Sequence, residues 1–274
     1  MTLVAAVQMA SGPRLEPNLD EARRLLREAA AAGAKLAVLP EYFAQFGLPE
    51  QERVRSAEKP GSGPVQEFLA RTAFETGMWI VGGSLPMKIG GKTEQGGRVR
   101  GACLVFDSEG EQVARFDKMH LFDVHIPEKD ERYEESGWTE PGDEIVVVGT
   151  PFGRLGLAVC YDLRFPELFR AMSVKGVDIV ALPAAFTAAT GRAHWEILLR
   201  ARAVENLAYV VAAAQGGFHA NGRETFGDSM IVDPWGGILA RRRENGSGIV
   251  TANIDLERQR QLRRTFPVLD HRKT

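Results

Sequence analysis

Cysteine is scarce in this chain, and long runs of one charge or of apolar residues are absent from its sequence. The 274 residues include only Cys103 and Cys160 and carry a formal net charge of −2. Two cysteines cannot make a disulfide framework, which favours a reducing compartment. The near-neutral charge argues against nucleic acid or an anionic membrane as a partner. No apolar stretch reaches membrane-spanning length, so we expect a cytoplasmic protein with no membrane association.

Short apolar segments alternate with amphipathic segments along the chain. The pattern of Gly33-Ala-Lys-Leu-Ala-Val-Leu-Pro40 returns in Gly176-Val-Asp-Ile-Val-Ala-Leu-Pro183, each time after a predicted strand and helix. Most strands are apolar throughout, as expected where both faces are covered. This predicts an α/β fold with two β-sheets packed face to face and helices outside. No linker rich in Pro, Gly or Ser appears, so we predict one domain over residues 1–274, with a core to about residue 255 and a C-terminal helix and tail over 255–274.

One cysteine follows a buried strand, at a place suited to a nucleophile. Cys160 ends the apolar segment Arg154-Leu-Gly-Leu-Ala-Val-Cys160 and precedes a predicted helix from about Arg164 to Val174. A thiol at a helix start is close to the positive end of the helix dipole and to free amides, which favours a thiolate and could hold an oxyanion. Cys103 lies within an apolar segment and is interpreted as a core residue.

Two charged residues also follow predicted strands. Glu41 ends a strand, where α/β proteins place catalytic groups, although a helix cap or a surface ion pair is the alternative. Lys118 taken alone is typical of a solvated surface group, but an ammonium beside a thiol would stabilise a thiolate and an oxyanion. A histidine base such as His120 or His194 would instead give a Cys-His hydrolase, whose sequence cues around the cysteine are missing.

These segments, taken in order, resemble the signature of the carbon-nitrogen hydrolase, or nitrilase, superfamily. The resemblance covers almost the whole chain, and its specific parts are Leu39-Pro-Glu41, Lys118-Met-His-Leu-Phe-Asp123 and Gly156-Leu-Ala-Val-Cys-Tyr-Asp-Leu-Arg-Phe-Pro-Glu167. It implies a four-layer α-β-β-α sandwich and a catalytic triad of Glu41, Lys118 and Cys160. It also implies a second glutamate after the lysine loop, where the Tyr-x-Glu-Ser spacing of Tyr133-Glu134-Glu135-Ser136 points to Glu135 and leaves Glu134 as the alternative.

The resemblance implies amide hydrolysis through a cysteine thioester, without cofactor or metal. Glu41 would take the thiol proton as Cys160 attacks, while Lys118 and the backbone N–H of Tyr161 would bind the oxyanion. Ammonia would then leave, and water activated by Glu41 would release the acid. The resemblance also implies a homodimer or larger homo-oligomer paired across outer helices, for which the helix after Cys160 offers four apolar side chains: Phe165, Leu168, Phe169 and Met172.

Within the superfamily, the chain resembles the amidase branch and most closely the deaminated glutathione amidases, on Arg164-Phe-Pro-Glu167 and Ala212-Ala-Ala-Gln215. The expected substrate is a small amide bearing carboxylates, with Arg164, Phe186 and Thr187 as candidate binding residues. Pairing of Arg164 with Glu167 or with a neighbouring subunit is an equal alternative. The alternative enzymes are ω-amidases acting on 2-oxoglutaramate, nitrilases and N-carbamoyl hydrolases. A catalytically silent binding protein on the same fold and a thiol redox protein are the alternatives from other classes.

Overall fold

The computed structural model describes residues 1–90, 97–126 and 131–273, and strands and helices alternate over most of that length. The six α-helices are α1 (Leu15–Ala31), α2 (Glu50–Arg55), α3 (Pro64–Thr76), α4 (Pro166–Val174), α5 (Ala188–Asn206) and α6 (Leu256–Thr265). The strands are β1 (Thr2–Gln8), β2 (Leu36–Val38), β3 (Trp79–Val81), β4 (Leu85–Lys88), β5 (Val99–Phe106), β6 (Gln112–Asp117), β7 (Asp123–Ile126), β8 (Glu131–Glu134), β9 (Val147–Thr150), β10 (Gly153–Leu157), β11 (Ile179–Ala184), β12 (Tyr209–Ala214), β13 (Gly216–Phe218), β14 (Glu224–Phe226), β15 (Ser229–Val232), β16 (Ile238–Arg242) and β17 (Gly248–Ile254). Among the described residues, no helix is both long and apolar enough to cross a membrane.

Two large sheets contain most of these strands. The first has the order β17-β1-β2-β3-β5-β4, with β6 paired to β5, and the second has the order β16-β15-β12-β11-β10-β9. Strands β1, β2 and β3 run parallel, as do β10, β11 and β12. The two segments with repeated sequence pattern therefore form β2 and β11, the central strands of two corresponding parallel triplets.

The two sheets pack against each other, and helices cover their outer faces. Successive side chains of a strand point to opposite faces, so Val4 and Ala6 of β1 join the core between the sheets, whereas Ala5 and Val7 join the core beneath α1 and α3. On the second sheet, α4 and α5 bury the large side chains of Phe169 and Trp195. The predicted four-layer α-β-β-α sandwich is confirmed.

The helix after Cys160 differs from the prediction. Residues Cys160–Arg164 form a 3₁₀ turn, and α4 begins only at Pro166. Cys160 is therefore not at the N-terminus of the α-helix. Of the four side chains that the sequence offered as an oligomer surface, Leu168, Phe169 and Met172 are buried in the core of the subunit and are not available for pairing. The fourth, Phe165, is half-buried and its ring stacks on that of His120, with the ring centres 3.7 Å apart.

Two other segments depart from the periodicity of the sequence. The apolar run from Trp79 to Leu85 does not form one continuous strand, because Gly83 has a φ of 58°, a conformation that favours glycine. A Cβ atom on Gly83 would lie 2.1 Å from the carbonyl oxygen of Pro40, so this glycine allows the end of β2 to approach closely. Helix α1 begins at Leu15, before the first long apolar stripe of its sequence, and the amide of Asn18 donates to the carbonyls of Gly12 and Ala44 at 2.8 Å each.

Candidate active site

Three strand ends bring the predicted triad together. Glu41 follows β2 and Lys118 follows β6 in the first sheet, whereas Cys160 follows β10 in the second sheet. The Lys118 Nζ donates to Glu41 Oε1 at 2.9 Å, and the Cys160 thiol and the Glu41 carboxylate are close enough for each to shift the pKa of the other. Glu41, Lys118 and Cys160 are all buried, so the base, cation and thiol meet in a site largely shielded from water.

The second glutamate predicted from the sequence is also in this cluster. The Lys118 Nζ donates to Glu135 Oε2 at 2.8 Å and to Oε1 at 3.1 Å. Glu135 also accepts from the Tyr42 hydroxyl at 3.0 Å and from the backbone N–H of Phe122 at 2.8 Å. Glu134 is exposed. The structure therefore places Glu135, and not its neighbour, against Lys118, with four hydrogen bonds fixing the carboxylate.

Cys160 has an unusual backbone conformation that a buried carboxylate supports. Its φ is 50°, which is strained for a residue other than glycine and is found mostly at functional sites. The Asp162 side chain accepts from the backbone N–H of Val159 at 2.9 Å and of His120 at 3.0 Å, and it contacts His120 Nδ1 at 2.7 Å. Asp162 thus joins the turn carrying the thiol to the loop after Lys118. The N–H of Ala185 lies 3.5 Å from the Cys160 sulfur.

Burial shifts the ionisation of the three triad residues. It raises the pKa of Glu41, which Lys118 only partly offsets. Burial opposes the charge of Lys118, but Glu135 and Glu41 outweigh it and raise the pKa of this lysine well above its usual value. Burial, followed by Glu41, also raises the pKa of the Cys160 thiol well above its usual value despite Lys118. The sequence led us to expect a stabilised thiolate; the structure instead favours the protonated thiol, because desolvation outweighs the nearby ammonium.

A buried glutamine, which sequence reasoning did not assign to the site, supports the backbone of Glu41. The Gln215 amide donates to the carbonyl of Glu41 at 3.0 Å and to the Ser11 hydroxyl at 2.9 Å. Its oxygen accepts from the backbone N–H of Ser11 at 3.0 Å. Gln215 is part of the segment Ala212-Ala-Ala-Gln215 that carries the family resemblance, but the only local signal for a role in the site is a polar residue directly after the apolar strand β12. Tyr42, the residue after Glu41, has a φ of 55° and donates its N–H to the Ser84 hydroxyl at 3.2 Å.

The cluster opens into a cavity of about 610 Å³, a size usual for small-molecule sites. Glu41, Lys118, Glu135 and Cys160 are in its wall, together with Phe186 and Thr187, two of the three residues that the sequence offered for substrate binding. The wall also contains four arginines that no local sequence pattern had marked: Arg53, Arg55, Arg132 and Arg223.

Arg164, the third substrate-binding candidate, is not in the wall of this cavity. Its guanidinium carbon lies 5.1 Å from the centre of the Phe186 ring and 5.8 Å from that of Tyr161, and its Nη1 is 3.2 Å from His194 Nδ1. The 3₁₀ turn after Cys160 carries Arg164 to this packing position, so closeness in sequence to Cys160 did not place it in the cavity. The contact found is with His194 rather than Glu167.

No group of three or more His, Cys, Asp or Glu side chains is arranged to hold a metal ion within the described parts of the chain, residues 1–90, 97–126 and 131–273. In the cluster, the Lys118 ammonium instead donates to the carboxylates of both Glu41 and Glu135. The arrangement can transfer a proton between Cys160 and Glu41 and present a fixed ammonium beside the sulfur. Those are the elements of nucleophilic catalysis by a thiol.

Comparison with known proteins agrees with this geometry. A carbon-nitrogen hydrolase family profile matches residues 3–264. The human protein named deaminated glutathione amidase is 44% identical over all of this chain and 83% of its own, and that of Yersinia enterocolitica is 41% identical over 98% of this chain and 92% of its own. The crystal structure of Saccharomyces cerevisiae Nit3, described as a member of branch 10 of the nitrilase superfamily, has a TM-score of 0.88 at 28% identity, covering 100% of this chain and 97% of that one. The family predicted from the sequence is confirmed: the chain belongs to the carbon-nitrogen hydrolases, enzymes that hydrolyse carbon–nitrogen bonds other than peptide bonds.

Proposed function

We propose that this enzyme is an amidase that cleaves a small carboxylated amide through a thioester on Cys160. The observation that carries the proposal is the position of the Lys118 ammonium between Glu41 and Glu135, in the same cavity wall as the Cys160 thiol. Burying a cation and two carboxylates costs desolvation free energy. Buried ionisable groups with perturbed pKa values are concentrated at functional sites.

Acylation begins from the neutral thiol. Glu41 accepts the proton of Cys160 as the sulfur attacks the amide carbon, so the thiolate forms only as it is used. The carbonyl oxygen gains negative charge, which the Lys118 ammonium and the backbone N–H of Tyr161 stabilise. Glu41 then gives its proton to the amide nitrogen, the carbon–nitrogen bond breaks, and a thioester remains on Cys160.

Deacylation uses the same groups in reverse roles. Glu41 takes a proton from a water molecule, the hydroxide attacks the thioester carbon, and Lys118 again stabilises the oxyanion. The carbon–sulfur bond breaks, the acid is released, and the proton on Glu41 returns to the sulfur. In this scheme Glu135 touches neither sulfur nor water; it keeps Lys118 charged and in place through the bonds that fix its own carboxylate.

The substrate that we favour is deaminated glutathione, the compound in the names of the full-length relatives. Glutathione joins its γ-glutamyl group to cysteinylglycine by a secondary amide, so cleavage of the deaminated form there gives 2-oxoglutarate and the dipeptide. Release of ammonia, expected from the sequence, applies only to a primary amide such as 2-oxoglutaramate. The two substrates share the acyl group and differ in the leaving amine, so they would form the same thioester on Cys160.

Four alternatives are separated by a panel of substrates at matched concentrations. Deaminated glutathione, 2-oxoglutaramate, an aliphatic nitrile and an N-carbamoyl amino acid should be compared, with cysteinylglycine, 2-oxoglutarate and ammonia measured together. We expect the highest kcat/KM for deaminated glutathione, because contacts with the dipeptide can contribute to transition-state binding. Preference for 2-oxoglutaramate would make the enzyme an ω-amidase. Turnover of the nitrile or the carbamoyl compound alone would overturn the amidase assignment, and no turnover would favour a silent binding protein.

We also propose a homodimer or larger homo-oligomer and a cytoplasmic location. With the α4 side chains of the sequence argument buried, support for an oligomer comes from three exposed apolar side chains on the outer helix layer, Val174 of α4 and Ile197 and Val204 of α5. Exposed apolar surface of this kind is usual at subunit contacts. The cytoplasmic location is supported by the two cysteines, which are both free and buried.

A further inference from the structure

Two aromatic rings hold an arginine in the cavity wall. Arg53 belongs to α2, and its guanidinium carbon lies 4.3 Å from the centre of the Trp138 ring and 4.6 Å from that of the Tyr42 ring. One of its donors reaches the carbonyl of Leu48 at 3.4 Å. Contacts of a guanidinium with two ring faces restrict its rotation. Arg53 is partly buried and lines the cavity that contains Cys160.

This guanidinium has no acidic partner in the described part of the chain. No carboxylate there lies within 4.0 Å of it, whereas Arg24 and Arg71, on the surface, each pair with a glutamate. Glu50 and Glu52 of the same helix also line the cavity, but both are exposed to solvent. A guanidinium has five N–H donors in a planar arrangement. Most of the donors of Arg53 are therefore available to an anion entering the cavity.

The rings that hold Arg53 connect it to the reactive cluster. Tyr42 follows Glu41 directly in the chain, and its hydroxyl donates to Glu135 Oε1, the carboxylate that holds Lys118. A ligand extending from Cys160 to Arg53 would thus pass along the Tyr42 ring. The two rings hold the Arg53 guanidinium at a fixed position relative to the Cys160 thiol. A fixed distance between these two groups allows the site to select a substrate by its length.

We infer that Arg53 binds a carboxylate of the substrate and so selects amides whose acyl part carries an anionic group, as in the amide of a 2-oxo dicarboxylic acid. The inference rests on the proposed amidase function and adds the residue that recognises the acyl part of the substrate. A planar guanidinium accepts a carboxylate through two parallel hydrogen bonds, which a lysine cannot reproduce. A site built around such a pair discriminates strongly against analogues that lack the anion.

The test uses the full chain and the variant Arg53→Gln, with Arg71→Gln as the control. Arg71 lies on α3, is not among the residues that line the cavity and has a side chain that is 77% exposed, so its loss changes the net charge equally without removing the ring-held guanidinium. We measure kcat/KM for 2-oxoglutaramate, the Kd of the product 2-oxoglutarate by calorimetry, and the rate at which neutral iodoacetamide alkylates Cys160. Arg53→Gln should weaken the first two by roughly 10- to 100-fold, the usual loss for a charge-assisted hydrogen bond. It should leave alkylation within about twofold of wild type.

Arg53→Lys should recover only part of the loss, and Arg71→Gln should stay within about threefold of wild type. A parallel fall in alkylation by Arg53→Gln would mean that Arg53 only supports Tyr42 and the triad, and would overturn the inference. Unchanged kcat/KM and Kd in an active enzyme would also overturn it while leaving the amidase function intact. A wild type that hydrolysed neither 2-oxoglutaramate nor deaminated glutathione could still bind 2-oxoglutarate with an affinity that Arg53→Gln lowers. In that case the proposed function would fail and the inference would stand. Absence of both hydrolysis and binding would reject both.

Discussion

Replacing Lys118 with methionine should destabilise the protein as well as inactivate it. The substitution keeps the length of the stem and removes the ammonium, which leaves Glu41 and Glu135 buried without a positive partner. Their side chains are 3% and 7% exposed, so water cannot replace the lysine. Breaking a buried ion pair from one side typically costs about 3–5 kcal/mol. We expect a loss of this size in the free energy of unfolding near neutral pH.

The loss should grow as the pH rises. Burial already raises the pKa of Glu41, and Lys118 is the main group that lowers it, so the variant should have a still higher Glu41 pKa. A carboxyl whose folded pKa is raised contributes stability below its unfolded value, about 4.3, and loses that contribution as pH rises through the folded value. The difference between wild type and Lys118→Met should therefore be smaller at pH 5 than at pH 8.

A double-mutant cycle with Glu135→Gln tests the electrostatic origin of this effect. In wild type the change removes a partner of Lys118 and should destabilise, whereas in Lys118→Met it removes a surplus buried carboxylate and should stabilise. The coupling should approach about 3 kcal/mol, the upper end for contacting residues. Urea unfolding at fixed protein concentration, followed by the fluorescence of the four tryptophans, measures all four proteins. Equal destabilisation by Glu135→Gln in both backgrounds would refute the reasoning.

Three further predictions follow from the site and the surface. Cys160→Ala should lower kcat by several orders of magnitude while the circular dichroism spectrum stays unchanged, and a folded variant with a normal kcat would show that the thiol is not the nucleophile. Asp162→Asn should lower the free energy of unfolding by about 1–3 kcal/mol and slow turnover, because an amide cannot accept from Val159 and His120 at once; an unchanged urea midpoint would argue against this anchoring role. Light scattering at micromolar concentration should give at least twice the subunit mass of 30.1 kDa, and a monomer mass would contradict the proposed oligomer.

The sequence predicted the layers and the cluster because both depend on local patterns. Apolar segments of strand length marked β2 and β10, and the sequence placed a charged or thiol-bearing residue after each of three predicted strands. Family resemblance then joined Glu41, Lys118 and Cys160 into one site. Glu135 followed from the Tyr-x-Glu-Ser spacing, and the structure adds the reason that Glu134 is unsuitable, since successive residues here face opposite directions.

Features that depend on distant contacts could not be predicted. The 3₁₀ turn and positive φ at Cys160 rely on Asp162 reaching His120, which is 42 residues away. The break after β3 depends on the approach of the Pro40 carbonyl to Gly83. The raised pKa of the Cys160 thiol reflects burial between two sheets, whereas the sequence offered only a helix start. Arg53 carried no local signal, because its position is set by Trp138, far along the chain.

The division of the triad between two sheets has a consequence for how activity develops during folding. Glu41 and Lys118 follow strands of the first sheet, and Cys160 follows a strand of the second, so neither sheet alone carries both the proposed base and the proposed nucleophile. On the proposed mechanism, turnover requires the two sheets to be docked, even if each has already formed its own hydrogen bonds. Recovery of enzyme activity should therefore lag behind recovery of secondary structure. A chain whose sheets have formed but have not docked has no complete active site.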